Sequence, residues 1–270
     1  MSESPVIYER EGAVAILTLN RPQNRNSMTP DVMEAFSAGI ARVRSDRGVR
    51  VVVITGRGGS FCAGADFRTA SPTAVGASGS ADQGGAMLPA ERAFGLYEPF
   101  LSVLDIEVPT IAAMNGHAIG GGLGLALVTD IRVANREAKY GANFARLGFH
   151  SGMAISYLLP RIVGVPVAAD LLFSGSVITG VEAHAIGLVH CAVAPDEVAA
   201  EAMRRARTIA ACAPLAVRLM KKSLYRGAGW NARAAAEAEA WAQSATLATA
   251  DAQEGIRALL EKRDPDFKGN

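Results

Sequence analysis

Phe61-Cys62-Ala63-Gly64-Ala65-Asp66 and Asn115-Gly116-His117-Ala118-Ile119-Gly120-Gly121-Gly122 are the two stretches on which the reading of this chain turns. Each follows a β-branched apolar run, residues 51–55 and 110–114. Small residues after a strand let backbone N–H groups come close to a ligand. The second stretch runs on into apolar residues 123–128, which open a helix. A helix N-terminus presents N–H donors without helical partners and a partial positive charge. Two such loops facing each other hold a carbonyl oxygen as negative charge builds on it, which is an oxyanion hole. A tight turn with no ligand explains a single glycine cluster as well. Two clusters in one chain, each between strand and helix, favour a shared site.

Working outward, the pattern is α/β. Residues 6–9 and 14–19 read as a hairpin turning at Glu11-Gly12. Thr29 reads as an N-cap with Pro30 at the first helical position. Val32, Phe36, Ile40 and Val43 then recur at helical spacing. Residues 51–55 form a continuous apolar run, as for a strand buried on both faces. Strand, glycine loop and helix recur from Thr110, and a further strand from Ile131. Residues 69–89 are rich in Ser, Gly, Ala and Pro and read as a mobile loop, either a lid or an insertion without function. From Asp196 the chain reads helical, in segments 196–212, 214–225, 231–250 and 252–263.

Composition removes several function classes. The 270 residues carry a net charge of +1, which gives no bulk attraction to nucleic acid or membrane. Cys62, Cys191 and Cys212 are dispersed, with no metal-ligand spacing, and read as reduced thiols of a cytoplasmic protein. The N-terminus carries no signal-peptide pattern, and the apolar stretch 118–128 is about half a membrane span. G-x-G-x-x-G after a strand, G-x-S-x-G, Walker A and H-E-x-x-H are all absent.

The chain resembles the crotonase (enoyl-CoA hydratase/isomerase) superfamily over nearly its whole length. The resemblance is carried by Leu19-Asn20-Arg21-Pro22, both glycine stretches, Thr129-Asp130-Ile131-Arg132-Val133-Ala134, and residues 158–164, 178–189 and 254–268. It implies a ββα spiral core over residues 1–195 and a helical C-terminal trimerisation region over residues 196–270. It implies an acyl-CoA substrate, with coenzyme A arriving as part of that substrate and no tightly bound cofactor. It also implies a homotrimer or dimer of trimers built on the C-terminal helices. The oxyanion-hole N–H groups would belong to Ala65 and Gly121. For coenzyme A it points to the loop of Ala63, Ala65 and Asp66, to Arg25 for a phosphate, and to Lys262, which reaches CoA from the C-terminus. Each charged side chain here reads equally as a solvated surface group.

The same resemblance places the hydratase glutamates three residues after Gly121 and at the end of the segment Tyr140-Gly141-Ala142-Asn143-Phe144. Those positions hold Gly124 and Phe144, and a third acid/base position falls at or near Gly152. None of the three ionises, so two-glutamate hydration is not supported, while thioester binding and polarisation are. His150 remains as an acid/base candidate or a structural histidine. Tyr140, Asn143 and Arg146 are candidates to line the acyl pocket. Glu91 and Glu98 follow the mobile loop, from which a lid would bring either inward. Asp130 and His117 read as structural. The leading reading is an acyl-CoA enzyme of the lyase or isomerase class. The alternatives are an acyl-CoA hydrolase or isomerase using His150 or a lid carboxylate, and an acyl-CoA binding protein without catalysis.

Overall fold

The computed structural model describes residues 3–66 and 89–270. Of the segment 69–89, read as a mobile loop, all but Pro89 lies outside the described residues. The expected hairpin forms from β1 (Val6–Glu11) and β2 (Val14–Leu19), with Gly12 at the turn at φ +58°. Helix α1 (Pro30–Ser45) starts at Pro30. The Thr29 hydroxyl bonds the Asp31 carboxylate rather than capping a backbone N–H. Val32, Phe36, Ile40 and Val43 are all buried, as their spacing predicts.

The remaining chain alternates between two sheets. β3 (Val51–Gly56), β5 (Thr110–Met114), β7 (Ile131–Asn135) and β10 (Cys191–Val193) extend the hairpin into a six-stranded sheet, in order β1-β2-β3-β5-β7-β10. All its pairings are parallel except β1 with β2. β4 (Ser60–Cys62), β6 (His117–Ile119), β8 (Lys139–Gly141) and β9 (Val177–Thr179) form a second sheet in that order. Thus β3 leads to β4, β5 to β6 and β7 to β8: one strand in the large sheet, the next in the small one.

Helices α2 (Pro89–Leu101), α3 (Gly121–Leu127), α4 (Ile155–Val163), α5 (Val165–Ser174) and α6 (Gly180–Ala185) intersperse these strands. Four helices end the chain: α7 (Val198–Ala210), α8 (Pro214–Arg226), α9 (Ala232–Leu247) and α10 (Ala250–Glu261). β3 is buried on both faces, as its unbroken apolar run predicts. Val52 and Ile54 join the main core with Phe36, Phe61, Phe100 and Leu125. Val51 and Val53 face a second layer closed by Val198, Ala202 and Ala206 of α7. Packing therefore continues across residue 196.

Asp130 takes the structural part expected of it. Its Oδ2 accepts from the Thr110 N–H at 2.7 Å and hydroxyl at 2.9 Å, and pairs with Lys221 Nζ at 2.8 Å. Lys221 also donates to the Val108 carbonyl, so this cluster ties α8 to the end of β5. No helix among the described residues is long and apolar enough to cross a membrane.

Candidate functional site

The two glycine stretches meet. Each was read as a loop directly after a core strand, but each first contributes a short strand to the second sheet, β4 and β6. The loops proper begin at Ala63 and Gly120. The first is fastened to the turn before α1: the Ala63 N–H donates to Arg25 O at 3.0 Å, and the Met28 N–H donates to Gly64 O at 2.8 Å. The second is fastened by the Gly120 N–H to Gly141 O at 2.8 Å.

Gly64, at φ +79°, has no space for a side chain. A Cβ there would lie 2.7 Å from Ile119 O and 2.9 Å from Gly121 N. A Cβ on Gly121 would overlap Met28 Sδ, and one on Gly122 would overlap Cys62 O. The contact between loops is thus backbone on backbone. The N–H groups of half-buried Ala65 and buried Gly121 make no hydrogen bond with other described residues.

The positions expected to correspond to the family's acid/base groups are tightly packed. A side chain on Gly124 would overlap Met153 Cβ. Met153 is 1 % exposed and is held there by an unusual backbone, with φ +57° at Met153 and +52° at Ala154. Two successive left-handed residues that are not glycine cost of order 1–2 kcal/mol each. Phe144 lies beside the second loop, its ring 3.5 Å from where a Gly120 Cβ would be, and stacks edge-on against Phe149 at 5.6 Å. Asn143 Oδ1 is on the same side, 3.9 Å from that point. At Gly152, the third position, a Cβ would lie 2.5 Å from the Tyr97 hydroxyl.

The other sequence candidates separate. Tyr140, expected in the pocket, is a core residue: it is fully buried, and its hydroxyl donates to the carbonyls of Asn135 (3.0 Å) and Met114 (3.2 Å). Burial raises its pKa far above the ordinary value. Arg146 is held to the Ser174 carbonyl at 2.9 Å, which docks its turn onto the end of α5. His150 is exposed, with Nδ1 2.7 Å from the neighbouring Ser151 carbonyl. Arg25 is exposed and makes no ion pair with other described residues, and its own carbonyl anchors the first loop. Asp66 is buried at the end of that loop. Lys262 is exposed at φ +55°, just past α10. Glu91 and Glu98 are exposed on α2. His117 Nδ1 accepts from the Lys139 N–H and so joins β6 to β8. Burial pushes the Cys62 thiol up to about 12, which leaves it protonated and unreactive.

Tyr97, Met153 and Met28 were missed. Met153 sits next to Gly152 in sequence, but only the left-handed turn brings it against Gly124. Tyr97 lies beyond a long segment without periodicity, and nothing local links it to Gly152. Met28 follows the turn before α1 and carried no signal beyond that. A cavity of about 1090 Å³ lined by Arg44, Arg47, Arg50, Arg218 and Lys268 shares no residue with either glycine loop.

The sequence matches the enoyl-CoA hydratase/isomerase family over residues 9–270. It is 36 % identical to the crotonyl-CoA hydratase of Syntrophomonas wolfei across 99 % of both chains. It is 34 % identical to the short-chain-enoyl-CoA hydratase of Clostridium acetobutylicum across 97 % of both. The crystal structure of an enoyl-CoA hydratase from Bacillus anthracis superposes with a TM-score of 0.88, at 29 % identity, covering 98 % of this chain and all of the other. Fold and sequence agree, and the chain is a member of the enoyl-CoA hydratase/isomerase family.

Proposed function

We propose that the protein binds an acyl-CoA thioester and holds its carbonyl oxygen between the N–H groups of Ala65 and Gly121. The observation that supports this reading is the close approach of Gly64 to Gly121 N, with the Ala65 and Gly121 N–H groups making no hydrogen bond to other described residues. The relatives named for crotonyl-CoA and short-chain enoyl-CoA hydration support a thioester as the ligand. Two fixed donors stabilise negative charge on the carbonyl oxygen and thereby favour an enolate at the adjacent carbon. The reaction class left open to such a site is isomerase or lyase chemistry through that enolate. Hydration by paired glutamates is not part of the proposal, because positions 124 and 144 carry no carboxylate and Met153 fills the first.

Arg25, exposed, without an ion pair among the described residues and hydrogen-bonded through its carbonyl to the first loop, suits a phosphate of coenzyme A. The exposed Lys262 suits a phosphate on a neighbouring copy. No tightly bound cofactor is required.

The test is calorimetry with a panel of acyl-CoAs, joined to infrared spectroscopy of a ¹³C-labelled thioester carbonyl. The expected result is a Kd below about 1 mM, worth roughly −4 kcal/mol, and a carbonyl band moved to lower frequency on binding. In a Met28→Ala background, which makes room for the ring, Gly121→Pro removes one donor and cancels most of that band shift. Absence of binding to every acyl-CoA, or a band shift unchanged by Gly121→Pro, refutes the reading.

A further inference from the structure

The geometry points to Tyr97 as the side chain that reads the acyl group: its hydroxyl stands where a side chain at Gly152 would stand, and it selects acyl chains carrying a hydroxyl or oxo oxygen over plain hydrocarbon ones. This rests on the acyl-CoA reading above and adds a substrate class to it. Gly121 and Gly124 are three apart on α3 and share a face. Met153 packs on Gly124, Gly152 is the next residue in the turn, and the Tyr97 hydroxyl fills the space beside Gly152. The phenol oxygen and Cζ lie 2.5 and 2.7 Å from where a Gly152 Cβ would be. α2, which carries Tyr97, packs directly on α3.

Two further observations separate this phenol from an ordinary packing residue. Its ring packs on the main core while the residue as a whole is only half-buried. Its hydroxyl makes no hydrogen bond with any described residue. An aromatic ring seated in the core with a polar tip that no described residue satisfies is an anchored donor. A hydrocarbon chain placed against it strips the hydroxyl of water and returns no bond, whereas an acyl oxygen returns one. Sites that hydrogen-bond a substrate oxygen reject analogues lacking it for this reason. Gly124, Phe144 and Gly152 carry no polar side-chain atom, so Tyr97 brings a polar group to the part of the wall that they form, apart from Asn143 beside Gly120.

The experiment is titration calorimetry on the full chain with butyryl-CoA, 3-hydroxybutyryl-CoA and 4-hydroxybutyryl-CoA. The wild-type protein is expected to bind one of the two hydroxyacyl-CoAs about 3- to 10-fold tighter than butyryl-CoA, the range one neutral hydrogen bond supports. Tyr97→Phe is expected to bring that affinity to the butyryl-CoA value, with butyryl-CoA binding changed less than about 2-fold. Gly152→Ala puts a methyl group against the hydroxyl and displaces it, so the same loss is expected without touching the tyrosine. A preference that survives both substitutions overturns the inference, as does a wild-type protein that binds all three equally. Equal binding leaves the thioester reading intact, whereas no binding to any of the three refutes both.

Discussion

Gly124 and Met153 bear on what the proposed site can do. An absent acid/base role costs about 10²–10⁴-fold in rate, and on the proposed reading Gly124 and Phe144 supply none for two such roles. Hydration of crotonyl-CoA, followed by loss of enoyl absorbance, is therefore expected far below the ~10 s⁻¹ median for enzymes. Restoring the pair as Gly124→Glu with Phe144→Glu is expected to give no gain. The first glutamate must displace Met153, at a stability cost of about 1–3 kcal/mol for overpacking, readable in a melt. A double variant that hydrates crotonyl-CoA without loss of stability would contradict this picture. The two positions come from the family resemblance, and the residues that stand there, Gly124 and Phe144, are read directly from the sequence. The neighbour of Gly124 is not legible there: Met153 reaches it only through two left-handed residues, and neither Met nor Ala announces that backbone. Tyr140 was misread in the other direction. A tyrosine beside a glycine loop reads as a pocket group, yet β8 turns it inward onto two carbonyls.

At the scale of elements, the hairpin, α1, β3 and the C-terminal helices follow from turn residues and periodicity. The second sheet does not, since strands of three residues such as β4 and β6 are too short to show alternation. α2 was missed for lack of a start signal next to the Gly- and Ser-rich stretch. How α8 docks was partly legible, in that Asp130 read as structural without its partner Lys221. Both side chains are mostly buried, at 15 % and 12 % exposure. Asp130→Ala leaves a buried ammonium unpaired and is expected to cost about 3–5 kcal/mol in denaturant unfolding. Hydrogen exchange in α8 should rise with it, and unchanged protection there would count against the clamp.

α7 offers a pH test. Hydrogen bonding from Arg204, followed by that from Arg205, lowers Glu201 from 4.5 to about 2. A depressed carboxylate adds stability that is complete above its unfolded value and is lost as pH falls through the folded one. The loss therefore falls between about pH 4.5 and pH 2. Arg204 is largely exposed, so screening keeps the contribution under about 1 kcal/mol. Glu201→Gln should flatten that part of the stability profile, and an identical acid limb in both proteins would exclude the assignment.

Over the whole molecule, the apolar surface is uneven. Phe173 (82 %), Trp241 (81 %), Leu259 (78 %) and Leu260 (77 %) stand in solvent, three of them on the last two helices. Exposed apolar groups gathered in this way mark an interface. Self-association is the expected outcome, as a trimer or dimer of trimers. The three-fold part of that expectation comes from family resemblance and from nothing in the periodicity of the helices. Sedimentation should give three or six times the chain mass of about 28 kDa. Trp241→Lys with Leu259→Lys should shift it towards one. A wild-type monomer at micromolar concentration would refute the assembly, and with it Lys262 as a ligand given to a neighbour.

The contact between Gly64 and Gly121 has an evolutionary consequence. Gly64 and Gly121 meet through main-chain atoms with Met28 Sδ packed beside them, so a substitution at either glycine jams the junction, and Met28 is the neighbouring side chain through which it can be adjusted. Half-buried Tyr97 and Phe144 are under looser packing constraint than the two glycines. If the proposed carbonyl site lies at this junction, a lineage built on it can exchange one reaction for another through such positions while keeping its hold on the thioester.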